Sequence, residues 1–194
     1  MTVLGVLLAA GAGRRMGTPK ALLRDSNGTP FLARAIGVLA DGGCDSVLVV
    51  TGASASEANG VLDETGWRDD PALDVVVAED WDEGMGASLR VGLTAACDTN
   101  ASIAMVTLVD LPDVGSSVVR RMLRLPHDSD VLARASYDGT PGHPVLIGRD
   151  HWAGVIGSAR GDRGARDYLA ANPPKLVECG DLATGRDADT PADL

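Results

Sequence analysis

Short, nearly unbroken apolar runs punctuate the chain: Val3–Ala9, Ser46–Thr51 (SVLVVT), Leu73–Ala78 (LDVVVA) and Ile103–Val109 (IAMVTLV). Runs of this length and composition read as strands buried on both faces. Helical stretches separate them. Pro30–Ala40 (PFLARAIGVLA) has Thr29 as an N-cap and Pro at the first helical position. Ser54–Thr65 and Ser88–Cys97 each begin on a serine suited to capping, and Val114–Leu125 has Ser116 or Ser117 near its start. Strands alternating with helices predict an α/β fold, a Rossmann-like three-layer architecture with a mostly parallel central sheet. After Leu125 the pattern changes. Asp130–Ala135, a turn at Tyr137–Gly142 and His143–Ile147 predict a small antiparallel excursion; Gly164–Ala171 predicts a helix and Lys175–Cys179 a last short strand. No internal repeat, low-complexity tract or long linker is visible, so the expected organisation is a single domain over residues 1–194.

Composition narrows the function classes. Hydrophobic residues make up 45% of the chain and aromatics only 3%, so the core is built from Val, Leu, Ala and Ile. So few aromatics argue against a base-stacking platform for single-stranded nucleic acid. A net charge of -10 argues against nucleic acid or a membrane surface as partner. A small anionic substrate then needs positive charge gathered locally. Lysine occurs only at Lys20 and Lys175. Cys44, Cys97 and Cys179 are widely spaced and form no CxxC pair, which fits reduced thiols in a cytoplasmic protein. The apolar N-terminus has no basic segment before it and ends in Gly-Arg-Arg, unlike a secretory signal, and it is too short to span a bilayer. It reads as the first strand.

That strand runs into Leu8-Ala9-Ala10-Gly11-Ala12-Gly13-Arg14-Arg15-Met16-Gly17-Thr18-Pro19-Lys20. In open α/β sheets ligands bind beyond the carboxyl ends of the strands. Glycines there let the backbone approach a ligand and turn N–H groups toward phosphate oxygens. Arg15 and Lys20 add the positive charge a triphosphate needs. A Walker A loop (GxxxxGK[ST]) is absent. The spacing is GxGxxxG rather than GxGxxG, and Gly17 and Pro19 would break a helix opening directly after it.

LAAGAGRRMGTPK resembles the signature of the nucleotidyltransferase family that includes the molybdenum cofactor cytidylyl- and guanylyltransferases, LAAGxGxRMGxxK or LAGGxxxRMGxxK. The resemblance implies that Arg15 and Lys20 hold the triphosphate and stabilise the charge developing on pyrophosphate. It implies backbone contacts from Gly11 and Gly13, with Leu8, Ala9 and Ala10 against the base and ribose. Val109-Asp110-Leu111-Pro112 ends the fourth predicted strand, where a carboxylate is placed to hold a metal; the matching family residue binds Mg²⁺. The ending Asp187-Ala188-Asp189-Thr190-Pro191 is similar to the family's DIDTPEDL or NINTPEDL, which makes Asp189 the second metal or substrate ligand, with Asp187 the close alternative. Glu83-Gly84-Met85-Gly86-Ala87-Ser88-Leu89-Arg90 resembles the GMxxSL segment of the cytidylyl branch, where Gly84 and Ser88 would meet the base; the guanylyl branch shows GPLAG there. Gly142-His143-Pro144-Val145 and Gly161-Asp162-Arg163-Gly164-Ala165-Arg166 resemble segments lining the acceptor pocket, with Arg166 a phosphate partner. His127, His143 and His151 have no Cys or His partners at zinc-ligand spacing.

The expected function is Mg²⁺-dependent transfer of CMP from CTP to a phosphorylated small acceptor, with molybdopterin or its molybdenum form implied by the resemblance. A molybdoenzyme or its chaperone would be the protein partner. CTP is expected over GTP because Ala9-Ala10-Gly11 stands where the guanylyl branch has Ala-Gly-Gly, so a Cβ at Ala10 narrows the space beside the base. Rival readings are a guanylyl- or sugar/alcohol-phosphate nucleotidyltransferase, and a nucleotide-binding regulatory module without turnover.

Overall fold

A computed structural model describes residues 1–13, 16–125 and 128–188. Seven strands form one sheet: β1 (Val3–Leu8), β2 (Ser46–Thr51), β3 (Leu73–Val77), β4 (Ile103–Leu108), β5 (Leu132–Tyr137), β6 (Thr140–Gly148) and β7 (Lys175–Glu178), in the spatial order β3-β2-β1-β4-β6-β5-β7. The helices are α1 (Phe31–Gly42), α2 (Ala55–Thr65), α3 (Met85–Cys97), α4 (Ser116–Met122), α5 (Arg149–Ser158) and α6 (Arg166–Ala171).

The apolar runs alternate between two cores because successive strand side chains point to opposite faces. Val3, Leu7, Val47, Val49, Ile103 and Met105 pack with α1, α2 and α4 on one face. Leu4, Val6, Leu8, Leu48, Val50, Ala104 and Val106 pack with α3, α5 and α6 on the other. This is the expected Rossmann-like three-layer arrangement.

The region after Leu125 is more integral than an excursion. β6 runs antiparallel to β4 with Val106 opposite Val145, β5 runs antiparallel to β6, and β7 adds parallel to β5. The turn of the β5–β6 hairpin is Asp138-Gly139, both at positive φ, tighter than the Tyr137–Gly142 turn expected from sequence. Helix α5 has no counterpart among the sequence-predicted elements. Its buried residues are only Trp152 and Val155, too few to give RDHWAGVIGS a legible apolar stripe. Trp152 secures it by donating its indole N–H to the Ile147 carbonyl at 2.9 Å.

The helix starts also differ from expectation. Pro30 is the N-cap of α1, and Thr29 closes a turn on Asp25 instead, its N–H reaching the carboxylate at 2.9 Å. Ser54 occupies the N-cap of α2 but makes no side-chain capping bond. Gly115 precedes α4, and the Ser116 hydroxyl accepts from Arg120 at 2.6 Å. Helix α3 begins at Met85 after Gly84, which leaves Ser88 buried in its first turn and not at its cap.

Sheet order positions the site. β1 pairs in parallel with β2 on one side and with β4 on the other. The direction of winding therefore reverses between β1 and β4, and the loops after these strands diverge to leave a crevice at their carboxyl ends. The antiparallel register of β6 against β4 brings the start of β6, with His143, to that same edge.

Candidate functional site

The loop after β1 is held at both ends of its first turn. The Ala9 N–H donates to Val50 O (2.9 Å), and Ala10 O accepts from the Ala53 N–H (3.1 Å). Gly13 lies at φ +61°, and a Cβ there would collide with the Thr18 carbonyl, so only glycine lets the loop fold back on itself. The fold-back delivers Lys20, at the start of a 3₁₀ turn (Lys20–Leu22), across the crevice. Its Nζ meets Asp110 Oδ2 at 2.6 Å; the two side chains are 19% and 15% exposed. Asp110 follows β4 by two residues. The pair thus ties together the two loops that the winding reversal separates.

A cavity of about 530 Å³ opens beside this pair. Leu8, Ala9, Ala10, Gly11, Gly13, Lys20, Gly84, Ser88 and Asp110 all line it, so nine residues expected at the nucleotide site converge on one space. The Ala10 methyl faces Gly52: a Cβ added there would lie 2.8 Å from it. Arg15 and Asp189 lie outside the described residues.

An adjoining cavity of about 300 Å³ shares Leu8, Met85, Leu108 and Asp162 with the first. His143 and Arg166 line this second space and not the first, together with Arg134 and Asp187. The tail carrying Asp187 is pinned: the Thr184 hydroxyl and N–H both donate to Asp113, and the Ala188 N–H donates to the Asp110 carbonyl at 2.9 Å. Tyr137 donates its hydroxyl to the His143 carbonyl at 2.6 Å. Burial, and then the charge of Arg134, push the His143 imidazole down to about 4, so at neutral pH it is an uncharged hydrogen-bonding group.

Several residues of the site had no role in the sequence reading. Trp81 and Asp82 line the larger cavity and Arg134 the smaller; Met85 and Asp162 line both. The turn Trp81–Glu83 is anchored by Arg90, whose guanidinium reaches Asp80 and Glu83 (2.8 Å each) and the Ala159 carbonyl (3.1 Å). Gly84, at φ +108°, lies against Gly161 and Asp162. The turn before α3 and the turn before α6 therefore interlock where the cavities join. Met85, Arg90 and Asp162 stood inside quoted motifs. Arg134 had no sequence signal, since a lone arginine in a strand gives no spacing to read.

Among the described residues, no group of three or more His, Cys, Asp or Glu side chains forms a metal cluster. None of the described helices is long and apolar enough to cross a membrane.

A winding reversal with a Gly-rich loop on one strand and a carboxylate on the other defines a nucleotide-handling α/β protein. Comparison makes the class specific. The family model of the MobA-like NTP transferase domain matches residues 5–176. The chain is 36% identical to nicotine blue oxidoreductase of Paenarthrobacter nicotinovorans, over 97% of this chain and 92% of that protein. It is 30% identical to the molybdenum cofactor guanylyltransferase of Rhodobacter capsulatus, over 80% of this chain and 68% of that one. The crystal structure of Rv0371c from Mycobacterium tuberculosis H37Rv superposes with a TM-score of 0.79 at 28% identity, covering 100% of this chain and 95% of that chain. A manganese complex of Rv0371c gives 0.76 at 25% identity, covering 100% and 96%. The chain belongs to the MobA-like NTP transferase domain family and has the nucleotidyltransferase fold.

Proposed function

We propose that residues 1–194 act as one unit that transfers CMP from CTP to a phosphorylated small acceptor. The observation that carries this reading is the Lys20–Asp110 pair at the head of two adjoining cavities, one walled by the Gly-rich loop and the other by arginines. The larger cavity would take the nucleotide and the smaller one the acceptor. An acceptor phosphate oxygen would attack the α-phosphorus of CTP; the α–β phosphoanhydride bond would break, and pyrophosphate would leave with the electron pair. Lys20, together with Arg15, would stabilise the negative charge gathering on the leaving group, so catalysis consists of positioning and electrostatics, with no covalent enzyme intermediate.

A divalent cation fits the donor chemistry of the site. Asp110 is a hard carboxylate facing the cavity beside the lysine expected at the phosphates, and Mg²⁺ is commonly held by one or two carboxylates plus phosphate oxygens. Asp110 and Asp189 would hold it, and when bound it supplies charge neutralisation for the triphosphate. The name of the Rhodobacter relative supports a molybdopterin-type acceptor. A molybdoenzyme or its chaperone would then receive the product.

The choice of CTP rests on Ala10 and on the Gly84–Ser88 segment, all in the larger cavity. The names of the guanylyltransferase relatives support GTP instead. Comparing kcat/KM for the two nucleotides with one acceptor decides between them, and a GTP preference would overturn the CTP assignment. A size difference beside the base is worth roughly 10–200-fold.

A second reading comes from the oxidoreductase relative, whose similarity spans 97% of this chain. The same cavities would then hold a dinucleotide beside an oxidisable or reducible partner. Pyrophosphate release from an NTP supports transfer; oxidation of a reduced nicotinamide dinucleotide without pyrophosphate release supports the redox reading.

A further inference from the structure

Beyond β7 the chain returns to the crevice as an irregular strap, 181–188, held at separate points along its length. Arg121 on α4 grips the Asp181 carboxylate with both Nη groups and donates to the Glu178 carbonyl at 2.9 Å. The Thr184 hydroxyl and N–H both donate to Asp113. Gly185 follows at φ +66°, and a Cβ there would stand 2.2 Å from both Cδ2 and Cε2 of Tyr137. The Ala188 N–H closes the strap onto the Asp110 carbonyl at 2.9 Å.

A second glycine meets the same ring edge: a Cβ on Gly142 would stand 2.8 Å from Tyr137 Cε2 and 2.9 Å from Cδ2. Tyr137, at the end of β5, is only 5% exposed, and its hydroxyl reaches the His143 carbonyl. Burial raises its phenol above the ordinary value, so at neutral pH the hydroxyl keeps its proton and donates. Gly142, His143, Gly185 and Asp187 line the smaller cavity, whereas Tyr137 lines neither cavity and stands behind that wall. One aromatic ring thus sets the spacing between the start of β6 and the strap, and residues without a Cβ let both backbones close on it.

We infer that Tyr137 is a positioning residue of the crevice: its ring seats the strap that carries Asp187 and holds the Asp110 backbone, and its hydroxyl seats the His143 segment. The path from ring to crevice is short. Gly185 lies on the ring, and Ala188, at the end of the same strap, fixes the carbonyl of the residue whose carboxylate meets Lys20 at 2.6 Å. Groups that orient a ligating side chain without touching the ion are typically worth about 10–100-fold in metal affinity. Ring and hydroxyl act on different walls, so their losses separate. The consequence for the cation rests on the nucleotidyl-transfer reading, in which Asp110 holds it; the seating of the strap does not.

Hydrogen exchange read by mass spectrometry, with binding of Mn²⁺ alone followed by electron paramagnetic resonance, tests it. Tyr137→Leu removes both the ring edge and the hydroxyl. Exchange across 181–188 should quicken at least about tenfold, and the Mn²⁺ dissociation constant should rise by about tenfold or more. Tyr137→Phe removes the hydroxyl alone. It should leave the strap and Mn²⁺ binding as in the wild type and quicken exchange only across 142–145, by roughly 2–10-fold, the worth of one neutral hydrogen bond. All measurements run well below each variant's melting temperature, where a ring that served only the core would leave both readouts unchanged. Strap exchange in Tyr137→Leu equal to the wild type overturns the inference; so does a strap loosened equally by Tyr137→Phe, or a loosened strap with unchanged Mn²⁺ binding. If Tyr137→Leu does not fold, Gly185→Ala decides: its Cβ would push the strap off an intact ring, so 181–188 should loosen and Mn²⁺ binding weaken in the same way, and an unchanged strap overturns the inference. The two readings fail separately. A loosened strap and weakened Mn²⁺ binding in a protein that releases no pyrophosphate from any NTP remove the transfer reading and leave the positioning role, whereas pyrophosphate release with a strap and Mn²⁺ affinity indifferent to Tyr137→Leu removes the positioning role and leaves the transfer reading.

Discussion

Replacing Gly84 by alanine probes the junction of the two cavities. Gly84 has φ +108° and ψ -173°, a region in which a side chain costs about 1–3 kcal/mol. Its new Cβ would stand 2.5 Å from Asp162 Oδ1, 2.6 Å from the Gly161 carbonyl carbon and 2.8 Å from the Asp162 nitrogen. Two of these three atoms are backbone, so relief requires moving the turn before α6; overpacking of this kind costs about 1–3 kcal/mol more. Reduced freedom of the unfolded chain returns about 0.4–1 kcal/mol. The net expectation is a loss of about 1–5.5 kcal/mol, within the stability of an ordinary domain. Gly66→Ala is the control. Gly66 has φ +77° with nothing within 4 Å of an added Cβ, so it reports conformational strain without contact. Equilibrium urea unfolding of both variants gives a difference that contains the contact contribution and the harsher backbone region of Gly84, since Gly66 lies in the milder left-handed helical region at ψ 1°. Gly84→Ala should also raise KM for both substrates, because the displaced turn lines both cavities. A Gly84→Ala variant no less stable than Gly66→Ala would refute the interlock between the two turns.

Other expectations concern the crevice and its pH response. Lys20→Ala should lower turnover by ~10²–10³ while the protein still unfolds cooperatively, as is usual for loss of one charge-stabilising group; near-normal pyrophosphate release would remove Lys20 from the mechanism. Asp110→Asn should raise the concentration of Mg²⁺ or Mn²⁺ needed for half-maximal activity, and an unchanged metal titration would move the cation elsewhere. Acidification should destabilise the fold through His143, whose folded value of about 4 lies below its ordinary 6.5. Below pH 6.5 the unfolded chain takes up a proton that the folded one declines, so stability falls as pH drops toward 4, by about 3 kcal/mol at most. Urea midpoints at pH 7 and pH 4.5 measure the effect, and His143→Gln should flatten it. The exposed carboxylate of Glu178, held down to about 2 by the N–H groups of Gly180 and Gly139 and by the Ser136 hydroxyl, loses its contribution only at lower pH, as it falls from its ordinary 4.5.

Much of this protein was legible one residue at a time. The runs at Val3, Ser46, Leu73 and Ile103 became strands near their expected bounds, because a strand buried on both faces needs continuous apolar residues whatever surrounds it. The Gly-rich loop was recognisable because a backbone that folds back on itself constrains residue type locally, as at Gly13, and the structure brings it to one cavity with Lys20 and Asp110. Helix starts were less legible. Thr29 and Ser88 have capping side chains, but the backbone placed Pro30 and Gly84 at the caps, since where a helix begins depends on how the preceding turn packs. Helix α5 was hidden because its anchor is one tryptophan meeting a carbonyl of the preceding strand. Tertiary structure alone decided that β6 pairs with β4, which carries His143 to the edge where β4 delivers Asp110. It also decided the meeting of Arg134 with Arg166, 32 positions apart by their numbers, in one cavity. Sequence records which side chains are available; which of them face one another depends on strand order and register, and those are set by the packing of the whole sheet.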